Sequence, residues 1–459
     1  MAKGKKKSGI LDFVENYTGD KVIWMVVLLL MMFSILSVFS STSLLAQQKH
    51  ESRVSIVKVQ CLVVLAGLAI ITFCCWIKNI KVFEAISKYG FLLSLILLLW
   101  VVFKIKTPII RAADINGAWR VIKVFGFQIH VYEVVKVAMI MYLAWAVNAL
   151  KEDSFTILPK IASLFGHPEK LNSTTAKKVF YIYFPILIIT GLILVGGTSS
   201  ALFIGMMMIL TIFIGGVNLK EVFFLGLAAV AYVGIVIGLY DLTKNNEKPI
   251  ILSERITTAR SRMDTDMDSL MQQMLDNPRN SKEFQDAADA LKQPVSALIA
   301  IKEGGFFGKG PGRSTKRYIV PVLFGDYMFS FFVEEYGLWG ALLLIILYAS
   351  LLSRGALLAK NCDNYFAKVV LAGLVLLISC QAFMHMAINV HLAPQTGQTL
   401  PLISHGTSSF LAFSFAFGII LSISRMIHTK VQKTIDKAEP IVAPLDEIRD
   451  SISQTEEDI

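Results

Sequence analysis

The chain has few charged residues for its length, and this shortage decides its class. Only 17% of its 459 residues are Asp, Glu, Lys or Arg, whereas 55% are hydrophobic. A soluble domain usually carries about 25% charged residues. A soluble globular fold is therefore excluded, and the sequence predicts an all-α protein that crosses a membrane many times.

Cysteine is also scarce. The chain has five cysteines, and Cys61, Cys74, Cys75 and Cys380 lie in apolar runs without partners at metal-ligand spacing. This pattern predicts neither a disulfide framework nor a zinc site. The net charge of +10 does not indicate a nucleic-acid partner, because the basic residues are spread over tails and loops between the apolar runs. Anionic lipid headgroups are the simpler partner.

Ten apolar runs are long enough to cross a hydrocarbon layer of about 30 Å. They are Val22–Ala46, Val54–Ile77, Tyr89–Phe103, Val131–Leu150, Val179–Val195, Ser200–Ile214, Val222–Leu242, Tyr327–Leu352, Phe366–Val390 and Ser408–Ile427. An even number puts both termini on one side, and the lysine-rich N-terminus indicates that this side is cytoplasmic. One outer loop opposes this topology with five basic residues, Lys104, Lys106, Arg111, Arg120 and Lys123.

The predicted organisation has three parts. A cytoplasmic basic tail (1–21) precedes a ten-helix membrane domain (22–428), and a cytoplasmic polar tail (429–459) follows it. The membrane domain includes a large extracytoplasmic loop (243–326) between helices seven and eight. Residues 269–291 of this loop have a helical polar pattern without an apolar stripe wide enough for an independent core.

Three carboxylates lie where the eighth run begins, at Asp326, Glu334 and Glu335. An apolar segment accepts an Asp at a cost of about 2.5 to 3.5 kcal/mol unless the side chain faces protein or water. Two interpretations stay open. The carboxylates line a functional cavity, or Asp326 caps the helix while the two glutamates bond to neighbouring helices.

A glycine-rich segment, 304–312, precedes these carboxylates and contains Lys309. Its spacing does not match a Walker A motif. It is either a flexible turn or a loop whose N–H groups and lysine approach an anionic headgroup. Elsewhere, Glu133 and Lys136 are spaced to pair on one helix face.

The segment 381–409 interrupts apolar sequence with polar, Gly and Pro residues. Irregular backbone at membrane depth persists only where protein or a polar cavity satisfies it. Its histidines, His385, His391 and His405, lack the spacing of a helical ligand pair, which favours hydrogen bonding over metal binding.

These segments resemble the SEDS family, the FtsW/RodA/SpoVE proteins of bacterial cell-wall synthesis. The resemblance rests on NGAWRVIK at 116–123, YEVVK at 132–136, SALIAIKEGGFFGKGPG at 296–312, GDYMFSFFVEEYGLWG at 325–340 and QTLPLISHGTSS at 398–409. The chain departs from the family where Pro321-Val-Leu-Phe replaces a Pro-Glu-Ala-His type of sequence before Gly325-Asp326. It also reads Ser-His-Gly-Thr-Ser-Ser at 404–409 in place of SYGGSS. The family's Asp is retained.

The resemblance implies a peptidoglycan glycosyltransferase that polymerises lipid II and releases undecaprenyl diphosphate. Asp326 is the expected catalytic residue, as general base. The expected substrate-binding residues are Glu133, Lys136, Arg120, Arg255, Lys309, Asn389, Ser404, Ser408 and Ser409. Glu334 and Glu335 are expected to orient helices. A divalent cation, Mg²⁺ or Mn²⁺, is a further candidate for sharing the diphosphate charge.

The resemblance also implies partners and a location. The expected partners are a class B penicillin-binding protein as transpeptidase, other division proteins and membrane lipids. The expected location is the division site of a bacterial inner membrane. The basic N-terminus and the LPLISHGTSS sequence favour an FtsW-type division role, and a RodA-type elongation role stays open. The alternatives are a lipid II flippase and a non-enzymatic divisome scaffold.

Overall fold

A computed structural model describes residues 18–42, 46–47, 50, 52–115, 118–125, 127–156, 173–228, 231, 234, 267–316 and 325–431. These residues are mostly helical, and eight helical segments are long and apolar enough to cross a membrane, one of which, Ile80–Val102, consists of two consecutive helices. The α-helical class predicted from composition is therefore confirmed. The basic N-terminal tail, most of the polar C-terminal tail and much of the large loop lie outside the described residues.

The helices follow the predicted apolar runs closely. They are α1 (Lys21–Ser41), α2 (Arg53–Trp76), α3 (Ile80–Ser87), α4 (Gly90–Val102), α5 (Val131–Glu152), α6 (Thr174–Gly196, with a π-helical turn at Val179–Tyr183), α7 (Thr198–Ile214), α8 (Met267–Asp276), α9 (Lys282–Gly304), α10 (Met328–Lys360), α11 (Tyr365–Asn389) and α12 (Thr407–Val431). A helix begins at residue 219 and covers 222–228 of the predicted seventh span, and most of the remainder of that span lies outside the described residues.

Burial distinguishes the central helices from the peripheral ones. In the most apolar window of α5 and of α11, 72% of the residues are buried inside the protein, against 28% for α2. Since every backbone polar group of a helix is satisfied internally, such a helix can face lipid with apolar side chains alone. Lys136 and Asn148 on α5, and Gln381, His385 and Asn389 on α11, are buried inside the bundle.

A small antiparallel sheet, which the sequence analysis did not predict, lies between α4 and α5. Its strands are β1 (Ile110–Ile115), β2 (Ala118–Val124) and β3 (Phe127–His130), in the order β1-β2-β3. Ile122 is 3% exposed and packs with the helices, and the strand β3 runs directly into α5. The sheet therefore fixes where α5 begins.

The glycine-rich segment pairs with the backbone of α10, where that helix is interrupted. Gly337, inside α10, has a φ of +69°, a value that L side chains rarely adopt. The paired backbone groups are Lys309 N with Glu334 O (2.9 Å), Gly310 N with Glu335 O (2.9 Å) and Leu338 N with Gly305 O (3.0 Å). The segment is thus neither a free turn nor an open anion loop, because its N–H groups are used to satisfy the break in α10.

We expect Gly308→Ala to destabilise the fold more than Gly312→Ala. The two glycines share a left-handed backbone (φ +78° and +76°), so both substitutions add similar backbone strain, about 1–3 kcal/mol. A Cβ at Gly308 would also lie 2.2 Å from the carbonyl oxygen of Glu335, whereas a Cβ at Gly312 meets no atom within 4 Å. The measurement is the apparent melting temperature in detergent, and equal values would contradict the close packing of the segment on α10.

Candidate functional site

A buried lysine on α5 forms the centre of a polar cluster inside the bundle. Lys136 is 2% exposed, and its Nζ donates to Glu133 Oε1 at 2.8 Å. It also donates to Gln381 Oε1 at 2.7 Å and to Gln398 Oε1 at 3.0 Å. A lysine at membrane depth costs about 2.5 to 3.5 kcal/mol without compensation. Three acceptors supply that compensation here.

The two glutamines fix the lysine to separate parts of the chain. Gln381 lies on α11, and its Nε2 donates to the carbonyl oxygen of Thr399 at 2.9 Å. Gln398 lies in the segment before α12, and its Nε2 donates to Ser200 Oγ at 3.4 Å. The sequence analysis missed both glutamines. The signal was present for Gln381, which interrupts a long apolar run.

Several buried polar atoms around this cluster have no hydrogen-bond partner among the described residues. They include Glu133 Oε2, Arg120 Nε and Thr396 Oγ1. A buried polar group left without a partner costs about 1–3 kcal/mol. Such groups in one region indicate a place where a bound molecule completes the hydrogen bonds.

Asp326 lies in the turn immediately before α10 and is half-buried. The N-cap of α10 is Tyr327, with no side-chain capping bond. Asp326 is therefore not itself the N-cap residue of the helix. Its backbone carbonyl oxygen accepts from Asn389 Nδ2 at 3.1 Å.

Gly397 is the point at which Asp326 and Arg120 meet. A Cβ placed on Gly397 would lie 3.7 Å from Asp326 Oδ2 and 4.0 Å from Arg120 Nη1. The next residue, Gln398, holds Lys136. One short piece of backbone thus joins the carboxylate, the guanidinium and the buried ammonium in a single site.

His130 lies between the sheet and α5, beside the same charges. Burial lowers the pKa of His130; the charge of Glu133 opposes this shift, whereas the charges of Arg120 and Lys136 add to it. Its backbone N–H donates to Ser408 Oγ at 2.9 Å. These surroundings therefore favour the neutral form of the imidazole.

The other predicted binding residues of the 389–409 segment support its backbone. Ser404 Oγ donates to the carbonyl oxygen of Gly325 at 2.9 Å, next to Asp326. Ser409 Oγ and Thr399 Oγ1 share a hydrogen bond of 2.9 Å. Asn389 Oδ1 accepts from Ser330 N at 2.9 Å on α10. These contacts hold the irregular segment against the start of α10, as expected for such backbone at membrane depth.

His385 has no nitrogen left for a metal. Its Nδ1 lies 2.7 Å from the carbonyl oxygen of Gln398, and its Nε2 accepts from Phe329 N at 3.3 Å. Because a carbonyl only accepts, Nδ1 carries the proton. Among the described residues, no three His, Cys, Asp or Glu side chains lie together as a metal site. A divalent cation stays a prediction, and it would have to complete its coordination with substrate oxygens, as Mg²⁺ commonly does.

The predicted residues Lys309, Glu334 and Glu335 form a second cluster. Lys309 Nζ lies 2.8 Å from Glu334 Oε1 and also pairs with Glu303. Partial burial lowers the pKa of Lys309, but its bonds to both glutamates outweigh this, so the pKa lies above its ordinary value. Hydrogen bonds to Glu335 Oε1 come from Ser40 on α1, Gly312 N and Ser314 N.

Both glutamates therefore bind the glycine-rich segment, a contact that the sequence analysis did not foresee. Glu335 also bonds to a neighbouring helix through Ser40. Arg255 lies outside the described residues. The substrate-binding roles of Lys309 and Arg255, and the helix-orienting roles of Glu334 and Glu335, stay predictions.

The fold and the site together define a multi-pass α-helical membrane protein whose polar residues converge at one end of the bundle. The family model described as "Cell cycle protein", which groups the FtsW, RodA and SpoVE proteins, matches residues 20–429. The chain belongs to this family, as the sequence motifs indicated.

Relatives similar over nearly the whole chain carry two kinds of name. A "Probable peptidoglycan glycosyltransferase FtsW" of Geobacter sulfurreducens is 27% identical over 90% of this chain and 96% of its own length. "Stage V sporulation protein E" of Bacillus subtilis is 26% identical over 88% of this chain and 97% of its own length. A "Probable peptidoglycan glycosyltransferase FtsW" of Caulobacter vibrioides is 40% identical over a shorter stretch, which covers 30% of this chain and 36% of that protein's length.

Solved structures confirm the fold. A chain from the structure described as "Structural coordination of polymerization and crosslinking by a peptidoglycan synthase complex" superposes with a TM-score of 0.60 at 19% identity, covering 89% of this chain and 98% of that one. The Thermus thermophilus rod shape determining protein RodA gives a TM-score of 0.53 at 19% identity, covering 89% and 97%.

We expect the Glu133–Lys136 pair to show strong energetic coupling. Lys136→Met leaves a buried carboxylate unpaired, a loss of about 3–5 kcal/mol, and Glu133→Gln removes the charge partner of the lysine. The double variant should lose less stability than the sum of the two single losses. Apparent melting temperatures in detergent test this, with Lys151→Met, an exposed lysine on the same helix, as control. Additive losses would show that the two charges do not interact.

Proposed function

We propose that this protein is a peptidoglycan glycosyltransferase that polymerises lipid II at the outer face of the bacterial inner membrane. The observation that carries the proposal is the approach of Asp326 and Arg120 to Gly397, next to the residue that holds Lys136. The names of the full-length relatives support the same activity. Undecaprenyl diphosphate is the proposed leaving group.

Asp326 is the proposed general base. In the reaction, the oxygen of an acceptor sugar hydroxyl forms a bond to the anomeric carbon of the donor. The bond from that carbon to the diphosphate oxygen breaks, and the hydroxyl proton passes to the carboxylate. A single displacement inverts the configuration at the donor carbon. A half-buried carboxylate in a turn beside Gly397 and Arg120 is suited to accept this proton.

Arg120 and Lys136 are the proposed cations for the departing diphosphate. Fixed cations stabilise developing negative charge most strongly in a site shielded from water. Lys136 is held by three acceptors, and Arg120 has a buried Nε without a partner among the described residues. Glu133 and the glutamines position the ammonium. A divalent cation, Mg²⁺ or Mn²⁺, would share the diphosphate charge with these residues.

The proposed topology has ten spans, with both tails cytoplasmic and the 243–326 loop extracytoplasmic. The shorter α7 and the span that begins in 219–228 would complete the eight long helices. The proposed partner is a class B penicillin-binding protein as transpeptidase. The similar chain in a structure described as a peptidoglycan synthase complex supports this pairing. The FtsW and SpoVE names support a role at the division site, alongside other division proteins.

We expect Asp326→Asn to reduce the rate of lipid II polymerisation by about 10² to 10⁴, the usual contribution of a general base. The measurement is the glycan ladder made from labelled lipid II by the full-length protein, alone and with a class B penicillin-binding protein. The matched control is Asp363→Asn, an exposed carboxyl that pairs with Lys430. This control should polymerise at the wild-type rate.

Other outcomes would overturn parts of the proposal. A folded Asp326→Asn protein that polymerises normally would remove the base assignment. Translocation of lipid II across vesicles without polymer from any sample would identify a flippase. Absence of both activities, with the transpeptidase still bound, would identify a scaffold.

Labelling from outside the cell tests the topology. In a background without native cysteines, Asn280→Cys in the large loop should react with a membrane-impermeant maleimide in intact spheroplasts. Asn361→Cys, which is exposed between α10 and α11, should react only after lysis. The reverse pattern would invert the proposed orientation.

A further inference from the structure

The turn between β2 and β3 presents two phenylalanines that the helix bundle does not cover. Phe125 is 79% exposed and Phe127 is 73% exposed. We call these two residues the hairpin tip. Phe125 has a φ of +48°, which is uncommon for a bulky residue. A sequence that keeps an exposed aromatic ring in such a backbone is typical of a functional contact.

The sheet lays the hairpin tip over the ends of the membrane helices. Ile110 pairs with Val124, and Val124 pairs with Phe127, so these three residues share one face of the sheet. Ile110 and Val124 on that face pack against the helix core, and Phe127 extends past it. At the end of α4, Phe103 is also 70% exposed. Phe127 therefore lies on the side of the sheet that packs against the helices.

The opposite face of the sheet carries cations beside the hairpin tip. Arg111 and Lys123 are directly opposite each other in the β1–β2 register, and both are exposed. Like charges in this arrangement repel. No ion pair joins either residue to a carboxylate within the part of the chain that the structure describes. An anion between them would remove the repulsion.

The whole connection between α4 and α5 is rich in positive charge. Residues 103–130 contain five Lys or Arg residues and one acidic residue, Asp114. Lys104 and Lys106 lie over the ring of Trp119, at 5.1 and 5.5 Å from its centroid. Aromatic rings and cations together at the end of a membrane helix are typical of the lipid headgroup region.

We propose that the hairpin tip is an interfacial membrane anchor. Phe125 and Phe127 insert between the lipids of the adjacent leaflet, and Arg111 and Lys123 extend to bind anionic headgroup phosphates. Binding of lipid phosphates would give a reason for the basic residues between α4 and α5, which oppose the rule that positive charge lies on the cytoplasmic side. The anchor fixes the sheet, and with it Arg120 and the start of α5. The inference rests on the membrane-spanning fold and not on the proposed activity.

Fluorescence quenching tests the anchor. The full-length protein, without native cysteines, carries a nitrobenzoxadiazole label at Phe125→Cys and is reconstituted into phosphatidylcholine vesicles with or without phosphatidylglycerol. We expect quenching by lipids with a nitroxide near the headgroup and protection from aqueous iodide. Asn280→Cys serves as the water control. Leu62→Cys, which is 65% exposed on α2, serves as the lipid control.

Arg111→Gln and Lys123→Gln extend the test to the headgroup contact. In vesicles with phosphatidylglycerol, each change should lower the ratio of inserted to water-exposed label about fivefold. Iodide access at Phe125 equal to that at Asn280 in both vesicle types would overturn the proposal. Protection that appears only with a co-reconstituted penicillin-binding protein would also overturn it and identify a protein-docking surface. The readout needs no polymerisation, so a failed enzymatic proposal would leave it interpretable.

Discussion

One buried cation constrains the interior of this protein. Lys136 lies on a helix that is long and apolar enough to cross a membrane, where an uncompensated ammonium is costly. Glu133 from the same helix supplies the charge, and Gln381 and Gln398 supply two more acceptors. Because those acceptors come from α11 and from the segment before α12, the lysine can be satisfied only if all three parts meet. The polar site is thus also a condition for correct packing.

Two irregular segments near Asp326, the glycine-rich segment and the segment before α12, are also held by hydrogen bonds to other parts of the chain. Buried backbone must find partners, and each break in a helix is matched here by another piece of chain. The interruption of α10 at Gly337 is bonded to the glycine-rich segment, whose lysine pairs with Glu334. The segment before α12 is bonded to α10 through Asn389. Asp326 lies between these two supported regions, and its carboxylate lies close to Gly397.

The small sheet connects this site to the edge of the membrane. Strand β2 carries Arg120, and β3 continues into the helix that carries Lys136. A displacement of the sheet would therefore move both cations relative to Asp326. An anchor at the hairpin tip would give the surrounding lipid an influence on the distances between them. The proposed anchor would also give the basic residues of this connection a role at the membrane surface.

The sequence alone determined the helical membrane class, most of the span positions and the family. The reason is that hydrophobic runs and local motifs are properties of neighbouring residues. It also identified Asp326, Glu133 and Lys136 as unusual, because a charged residue in or beside an apolar run is visible without a fold. It did not predict the sheet, whose short strands lack a clean alternation, nor the interruption of α10. Only the tertiary structure decided that Gln381 and Gln398 hold the lysine, that two glutamates bind the glycine-rich segment, and that Asp326 faces Arg120 across Gly397. Those contacts join residues far apart in the chain, and their energies depend on burial and distance, which the order of residues does not contain.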